Sequence, residues 1–262
     1  MASVTPFFRS FQKLLFGKPP VSSLKKAIAL LPKIDSMVQL RQLFGAYFPA
    51  ALLARKSTGA NSRNRIFSLE TIFWAFLDQV QTPGGSCRET VRKIMAWRRL
   101  EAPRGRIGDI SPDTSAYCQA RSRLPLEVMR DINTHLTERL VRNTPSDALW
   151  RGRRVKLVDG TGVSMPDTTA NQALYPQSSS QKPGCGFPAM SLVGIFCLGS
   201  GALLHVAKDS RRVHETKLFE RLWHTLERGD VIVADRGYCS FGAFANLTGR
   251  GVDVLMRLPE TK

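Results

Sequence analysis

Two short apolar runs, each followed by an aspartate, constrain the fold of this chain more than any other feature. Residues 155–158 precede Asp159 and Gly160, and residues 231–234 precede Asp235. Runs of this length with β-branched residues are typical of buried strands. Open α/β folds keep their functional side chains at the carboxyl ends of such strands, so we expect both carboxylates at one sheet edge. Two carboxylates brought together there can hold a divalent metal ion.

The order of strand and helix patterns in the second half of the chain favours one architecture. Residues 198–201, Leu-Gly-Ser-Gly, are typical of a hairpin turn between two strands. A mixed sheet that begins with a hairpin and continues as α/β predicts a ribonuclease H-like core, with Asp159 on its first strand and Asp235 on its fourth. Strand patterns occur at 155–158, 190–198, 202–207, 231–234 and 252–258, and helix patterns at 214–227 and 241–249.

The first half of the chain is predicted to be all-α. Apolar residues recur at helical spacing between residues 69 and 80, after Ser68 as a candidate N-cap. Ser86 and Glu89 have the spacing of a capping box that opens a second helix. Ser111, followed by proline, predicts the N-terminus of a third helix.

These basic helices allow a helix-turn-helix interpretation over residues 86–123, with residues 111–123 as the element that faces the DNA groove. Many helical bundles share the same pattern, so an ordinary bundle is the alternative. The candidate DNA-contacting side chains are Arg88, Arg92, Lys93, Arg121 and Arg123, together with Arg236 beside the second aspartate. Arg236 could bind a phosphate oxygen or pair with the carboxylates themselves.

Positive charge is in excess and is concentrated in the first half. The chain has 38 Lys and Arg against 21 Asp and Glu, a formal net charge of +17. Residues 1–150 contain 23 basic and 11 acidic residues, and residues 151–262 contain 15 and 10. This asymmetry suggests a polyanion-binding module over residues 1–150, joined to a less basic body over residues 151–262. A generally basic enzyme is the alternative that composition leaves open.

Composition also bears on the compartment in which the chain works. No apolar run reaches the roughly 18 residues of a membrane helix, and no cleavage-type signal follows the N-terminus. The five cysteines are odd in number and lack a CxxC spacing, which predicts reduced thiols. We therefore expect a cytoplasmic protein with no membrane partner.

The sequence around both aspartates resembles the catalytic blocks of bacterial insertion-sequence DDE transposases of the IS-four type. Residues 158–168, with Asn171-Gln172 and Tyr175-Pro176-Gln177, resemble the first catalytic block. Residues 181–188 are similar to the next segment, and residues 233–238 resemble the second catalytic block. The resemblance spans residues 110–258, and the blocks occur in the order typical of that family.

The resemblance implies a metal-dependent recombinase that cleaves DNA at transposon ends and transfers the strands into target DNA. It assigns Asp159 and Asp235 as two of three catalytic carboxylates that hold Mg²⁺ or Mn²⁺. The implied partners are double-stranded DNA, both the terminal inverted repeats and the target, bound by a homodimer.

The third carboxylate of that family is a glutamate in a Tyr-Arg-Glu-Lys block, which this sequence lacks. Glu260 has no Tyr or Arg at the required spacing, and Glu215, which resembles a family position, is expected to be structural. We therefore expect a C-terminally truncated transposase with an incomplete sheet and impaired or absent catalysis. Two alternatives stay open, a non-catalytic DNA-binding competitor of a full-length transposase and a ribonuclease H-like nuclease outside transposition.

Overall fold

The computed structural model describes residues 37–54, 66–82, 84–101 and 111–258. They form two compact units, the first ending at Leu136 and the second beginning at Thr137. This boundary falls inside a helix, Leu126–Arg142. None of the helices in the described ranges has both the length and the apolar character required to cross a bilayer.

The first unit is built from helices, two of which are capped by serine side chains that the sequence predicts. The Ser68 hydroxyl accepts a hydrogen bond from the Thr71 amide at 3.2 Å, which confirms the predicted start of the helix Leu69–Gln81. The Ser86 hydroxyl accepts from the Glu89 amide at 3.1 Å and caps the next helix. The helices are α1 (Met37–Phe44), α2 (Ala50–Leu53), α3 (Leu69–Gln81), α4 (Cys87–Glu101), α5 (Ser115–Ser122) and α6 (Leu126–Arg142).

Helix α5 begins later than the sequence pattern predicts. The Asp113 carboxylate accepts from the Ser115 amide at 2.7 Å, so the aspartate and not Ser111 stabilises the first turn. A carboxylate beside free amides at a helix N-terminus is favourable because the helix dipole is positive there. The same hydrogen bond holds the pKa of Asp113 below its usual value.

Aromatic residues of α3 form the centre of the first unit. Phe73 and Trp74 are almost fully buried, and their ring centroids lie 5.3 Å apart in an edge-to-face arrangement. Phe48 packs on both rings at 5.1 and 5.2 Å. Such aromatic pairs contribute about 0.5–1.5 kcal/mol each beyond the area they bury. Val80, which the apolar spacing places in this core, is instead exposed.

The second unit contains a five-stranded mixed sheet in the order β3-β2-β1-β4-β5. The first three strands pair antiparallel, and β1, β4 and β5 pair parallel. This mixed α/β sheet is consistent with the ribonuclease H-like core that the sequence predicts. Its elements are β1 (Val155–Ser164), α7 (Thr169–Leu174), β2 (Ala189–Cys197), β3 (Leu203–Ser210), α8 (Glu215–Glu220), β4 (Val231–Ala234), α9 (Phe241–Gly249) and β5 (Asp253–Met256).

Strand β1 is longer than predicted, and Asp159 lies within it instead of at its end. Pairing with β2 continues as far as Ser164 opposite Ala189, whereas pairing with β4 stops at Val158 opposite Ala234. Pairing with β2 therefore keeps residues 160–164, which include two glycines, in an extended conformation. Asp159 still stands immediately beyond the last pair of the parallel ladder.

The helix predicted over residues 214–227 is shorter in the structure. Helix α8 begins after His214, whose Nδ1 accepts from the Thr216 amide at 3.3 Å, and ends at Glu220. A separate 3-10 turn follows at Trp223–Thr225. Leu218, Phe219 and Leu222 are buried in the sheet core, so the apolar spacing reflects burial across both pieces.

Lys156 and Asp230 form a buried ion pair at the beginning of β1 and β4. The Lys156 Nζ donates to Asp230 Oδ2 at 2.6 Å, and each side chain is 8% exposed. The same carboxylate oxygen accepts from the Glu227 amide at 2.7 Å. A buried pair held in this way stabilises the unit only while both partners are present.

Replacement of Lys156 by alanine is expected to lower the free energy of unfolding by about 3 kcal/mol, because the Asp230 carboxylate would stay buried without its cation. Lys217 offers a matched control, since its ion pair with Glu220 is exposed. Lys217→Ala should cost less than about 0.5 kcal/mol. Urea denaturation of the three proteins measures both values, and similar losses in the two variants would contradict the assignment.

Candidate active site

The sheet register brings Asp159 and Asp235 to equivalent positions on neighbouring strands. Val158 and Ala234, which precede them, are register partners in the parallel β1–β4 pair. Neighbouring strands lie about 4.8 Å apart, and equivalent residues of parallel strands face the same side of the sheet. Both aspartates therefore follow the last paired residues at the same level and on the same face.

A backbone amide holds each of the two carboxylates. Asp159 Oδ1 accepts from the Gly160 amide at 2.8 Å, and Asp235 Oδ1 accepts from the Gly237 amide at 2.9 Å. Both side chains are exposed. Across the described ranges, no Lys or Arg forms an ion pair with either aspartate. Two neighbouring carboxylates without a protein cation repel each other, and a bound metal ion would relieve that repulsion.

The donor atoms of this pair suit a hard divalent cation. Mg²⁺ prefers carboxylate oxygens and is usually bound by one or two of them, with water or substrate oxygens completing its shell. Asp159 and Asp235 fit that pattern. Among the described residues, no group of three or more His, Cys, Asp or Glu side chains could enclose a metal ion. Glu260 lies outside the described ranges.

A further acidic side chain, Glu215, lies against Gly160, the residue that follows Asp159. The Tyr238 hydroxyl donates to Glu215 Oε2 at 3.3 Å. Both side chains lie against the Cα of Gly160, where a Cβ would stand 2.6 Å from the Tyr238 hydroxyl. Burial, and then the negative charges of Glu215, Asp159 and Asp235, raise the pKa of Tyr238. From the sequence, Glu215 was expected to be structural, and Tyr238 was not among the predicted site residues.

Two exposed arginines flank the candidate site. Arg236 follows Asp235 and forms no ion pair with either aspartate. Arg211 was not among the sequence candidates, although its Cζ would lie 3.6 Å from a Cβ at Gly162. Gly160 and Gly162 occupy alternate positions of β1 and leave one face of the strand open. This spacing could have indicated that another group approaches the strand closely there, although it does not identify that group as Arg211.

Two of the predicted DNA contacts are used inside the first unit. Lys93 Nζ donates to both oxygens of Asp78 at 3.0 and 3.1 Å, and Asp78 is 4% exposed. Arg121 donates to Gln79 Oε1 at 2.9 Å, and its guanidinium lies 5.7 Å from the ring centre of Tyr117. Their charges therefore stabilise the helix packing.

The other three candidates of this unit are exposed. Arg88 and Arg92 lie on α4, and Arg92 forms an ion pair with the exposed Glu89 at 3.6 Å. Arg123 follows α5, where its Nε donates to the Gln119 carbonyl at 3.1 Å. An exposed guanidinium with spare donors is suited to a phosphate oxygen.

The comparison with protein families agrees with the geometry of the sheet. Residues 150–262 match the transposase DDE domain. The matched segment contains the whole five-stranded sheet and both aspartates. It supports the DDE class that the sequence resembles, whereas the IS-four type is a finer prediction. A comparison with curated proteins found no match for the chain.

Lys93→Ala is expected to lower the free energy of unfolding by about 3 kcal/mol, because Asp78 would remain buried without a cation. Arg88→Ala should change it by less than about 0.5 kcal/mol, since the side chain is exposed. If Arg88 contacts a DNA phosphate, its removal also lowers the slope of log K against log salt by about 1. Urea denaturation and fluorescence anisotropy at several salt concentrations test both expectations. An unstable Arg88→Ala variant, or a stable Lys93→Ala variant, would refute the assignment of Lys93 to the packing of the unit and of Arg88 to its exposed surface.

Proposed function

We propose that this protein is an insertion-sequence DNA transposase that binds terminal inverted repeats and cleaves and joins DNA at a metal site on Asp159 and Asp235. The observation that carries this proposal is the register of β1 and β4, which aligns the two carboxylates at the end of their shared ladder. The family match of residues 150–262 supports the same class of reaction.

The two aspartates would bind the cation, and their amide contacts to Gly160 and Gly237 restrain the carboxylates before it binds. When held there, Mg²⁺ or Mn²⁺ supplies activation of a water or 3′-hydroxyl and charge stabilisation of the departing oxygen. Arg236, which follows Asp235, and Arg211, which lies beside Gly162 of β1, are exposed guanidinium groups that could orient the DNA phosphates.

DNA binding by the first unit would use the exposed Arg88, Arg92 and Arg123. These side chains would contact mainly phosphates, so affinity should fall steeply as salt rises. A helix-turn-helix over residues 86–123 is the proposed means of distinguishing the inverted repeats. Because two transposon ends must be processed together, we propose a homodimer in the DNA complex.

Catalysis by this polypeptide is proposed to be weak. Among the described residues, no third His, Cys, Asp or Glu side chain joins Asp159 and Asp235 in a group that could hold a metal ion. With fewer anionic ligands the cation is held less tightly, so strand transfer suffers more than DNA binding. The same observation favours a second candidate function, a DNA-binding competitor that occupies transposon ends without cleaving them.

Asp159→Asn and Asp235→Asn should each abolish the rise in melting temperature that Mn²⁺ gives the wild-type protein. A ligand at 100 times its Kd stabilises a folded protein by about 2.7 kcal/mol, which thermal denaturation detects. Without metal, both variants should be about as stable as the wild type, because the asparagine oxygen can still accept the amide hydrogen bond of Gly160 or Gly237. Asp147→Asn is the control, since Asp147 is exposed and lies in the 3-10 turn Ser146–Ala148. Retention of the Mn²⁺ effect in either site variant would argue against the proposed metal site.

DNA assays separate the two candidate functions. Both require tighter binding to inverted-repeat DNA than to random DNA of equal length, measured by gel shift. Nicking of a supercoiled donor plasmid with Mg²⁺ or Mn²⁺, lost in Asp159→Asn, supports the transposase, whereas tight binding without nicking supports the competitor. Equal hydrolysis of duplexes with and without transposon ends would favour a nuclease outside transposition.

A further inference from the structure

Three separate elements meet beside the two aspartates. Glu215 lies in the first turn of α8, Tyr238 ends the 3-10 turn that Asp235 caps, and Gly160 follows Asp159 in β1. The hydrogen bond from the Tyr238 hydroxyl to Glu215 Oε2 joins the first two elements. The third element forms the surface on which that bond rests, because both polar groups lie against Gly160.

The absence of a side chain at residue 160 makes this contact possible. A Cβ there would overlap the Glu215 carboxylate and stand 2.6 Å from the Tyr238 hydroxyl oxygen. The glycine is therefore required for space and not for an unusual backbone angle, since its φ is outside the left-handed region. Any larger residue would displace one or both members of the pair.

Tyr238 is fixed in the position from which it reaches Glu215. Its side chain is buried, and its ring packs edge-to-face on Phe219 of α8, with centroids 5.6 Å apart. A tyrosine hydroxyl is protonated at neutral pH, so it can donate to the Glu215 carboxylate. The position of the 3-10 turn is thereby coupled to the position of α8.

We infer that Glu215 and Tyr238 are a positioning pair for the two-aspartate site. Their hydrogen bond over Gly160 holds the turn that follows Asp235 against the strand that carries Asp159, so that the two carboxylates can bind one cation. This inference rests on the proposed function of Asp159 and Asp235. It requires an acceptor oxygen at residue 215 and not a charge, which distinguishes positioning from direct metal binding.

The test is the Mn²⁺ affinity of the full chain without DNA, measured from the electron paramagnetic resonance signal of free Mn²⁺. Tyr238→Phe and Glu215→Ala should each weaken binding about 3- to 10-fold, the effect expected for loss of one hydrogen bond. Glu215→Gln keeps an acceptor oxygen of the same shape and should stay within about twofold of wild type. Gly160→Ala should weaken binding as well, because the new Cβ displaces the pair.

The double variant Glu215→Ala/Tyr238→Phe should bind no more weakly than the weaker single variant, because both changes remove the same interaction. Tyr117→Phe is a matched control, since it removes a hydrogen-bonded tyrosine hydroxyl from the other unit. A Glu215→Gln loss as large as that of Glu215→Ala would overturn the positioning role, because the charge itself would then be needed. Unchanged affinity in Tyr238→Phe would overturn it equally.

Asp159→Asn separates this inference from the function on which it rests. If that variant keeps the Mn²⁺ affinity of the wild type, the proposed metal site fails. If it loses binding while Tyr238→Phe and Glu215→Ala keep it, only the positioning pair fails. Should Glu215→Ala not fold, Glu215→Gln and Tyr238→Phe still decide the question, with retention expected in the first and loss in the second.

Discussion

The candidate site of the second unit depends on the unequal length of the two strand ladders on either side of β1. The antiparallel ladder with β2 reaches Ser164, while the parallel ladder with β4 ends at Val158. A gap therefore opens on one side of an otherwise continuous strand, and Asp159 and Asp235 stand at its start. Asp159 is still paired with Gly194 of β2, so its backbone is held in the sheet although the pairing with β4 has ended. The fold thus places Asp159 within a paired strand, while Asp235 directly follows the neighbouring strand.

Much of this arrangement is predictable from the sequence because it depends on local patterns. Apolar β-branched runs indicated where the strands lie along the chain, and Ser68 and Ser86 indicated the starts of two helices. The full length of β1 was not predictable, since residues 160–164 have no strand pattern and are extended by pairing with β2. The end of α8 was missed because buried residues continue at helical spacing into the following 3-10 turn.

In the candidate site, too, only the features that depend on local sequence were predictable. Each aspartate was recognisable from its own flanking residues, whereas the contact of Glu215 with Tyr238 joins residues far apart in the chain. Likewise, nothing in the sequence of α4 distinguishes Lys93 from Arg88. Only the packing of α3 against α4 shows that Lys93 neutralises Asp78 while Arg88 is exposed. A count of basic residues therefore overstates the positive charge that a DNA backbone would meet.

The buried pair of Lys156 and Asp230 has a consequence beyond stability. Both residues belong to the segments that later carry Asp159 and Asp235, and they fix how one segment is aligned with the other. A slide of one residue between β1 and β4 would separate the lysine from its partner in an apolar environment and turn one aspartate to the opposite face. The buried ion pair thus opposes misalignment of the two strands, and it lies on the same two segments as the exposed carboxylates.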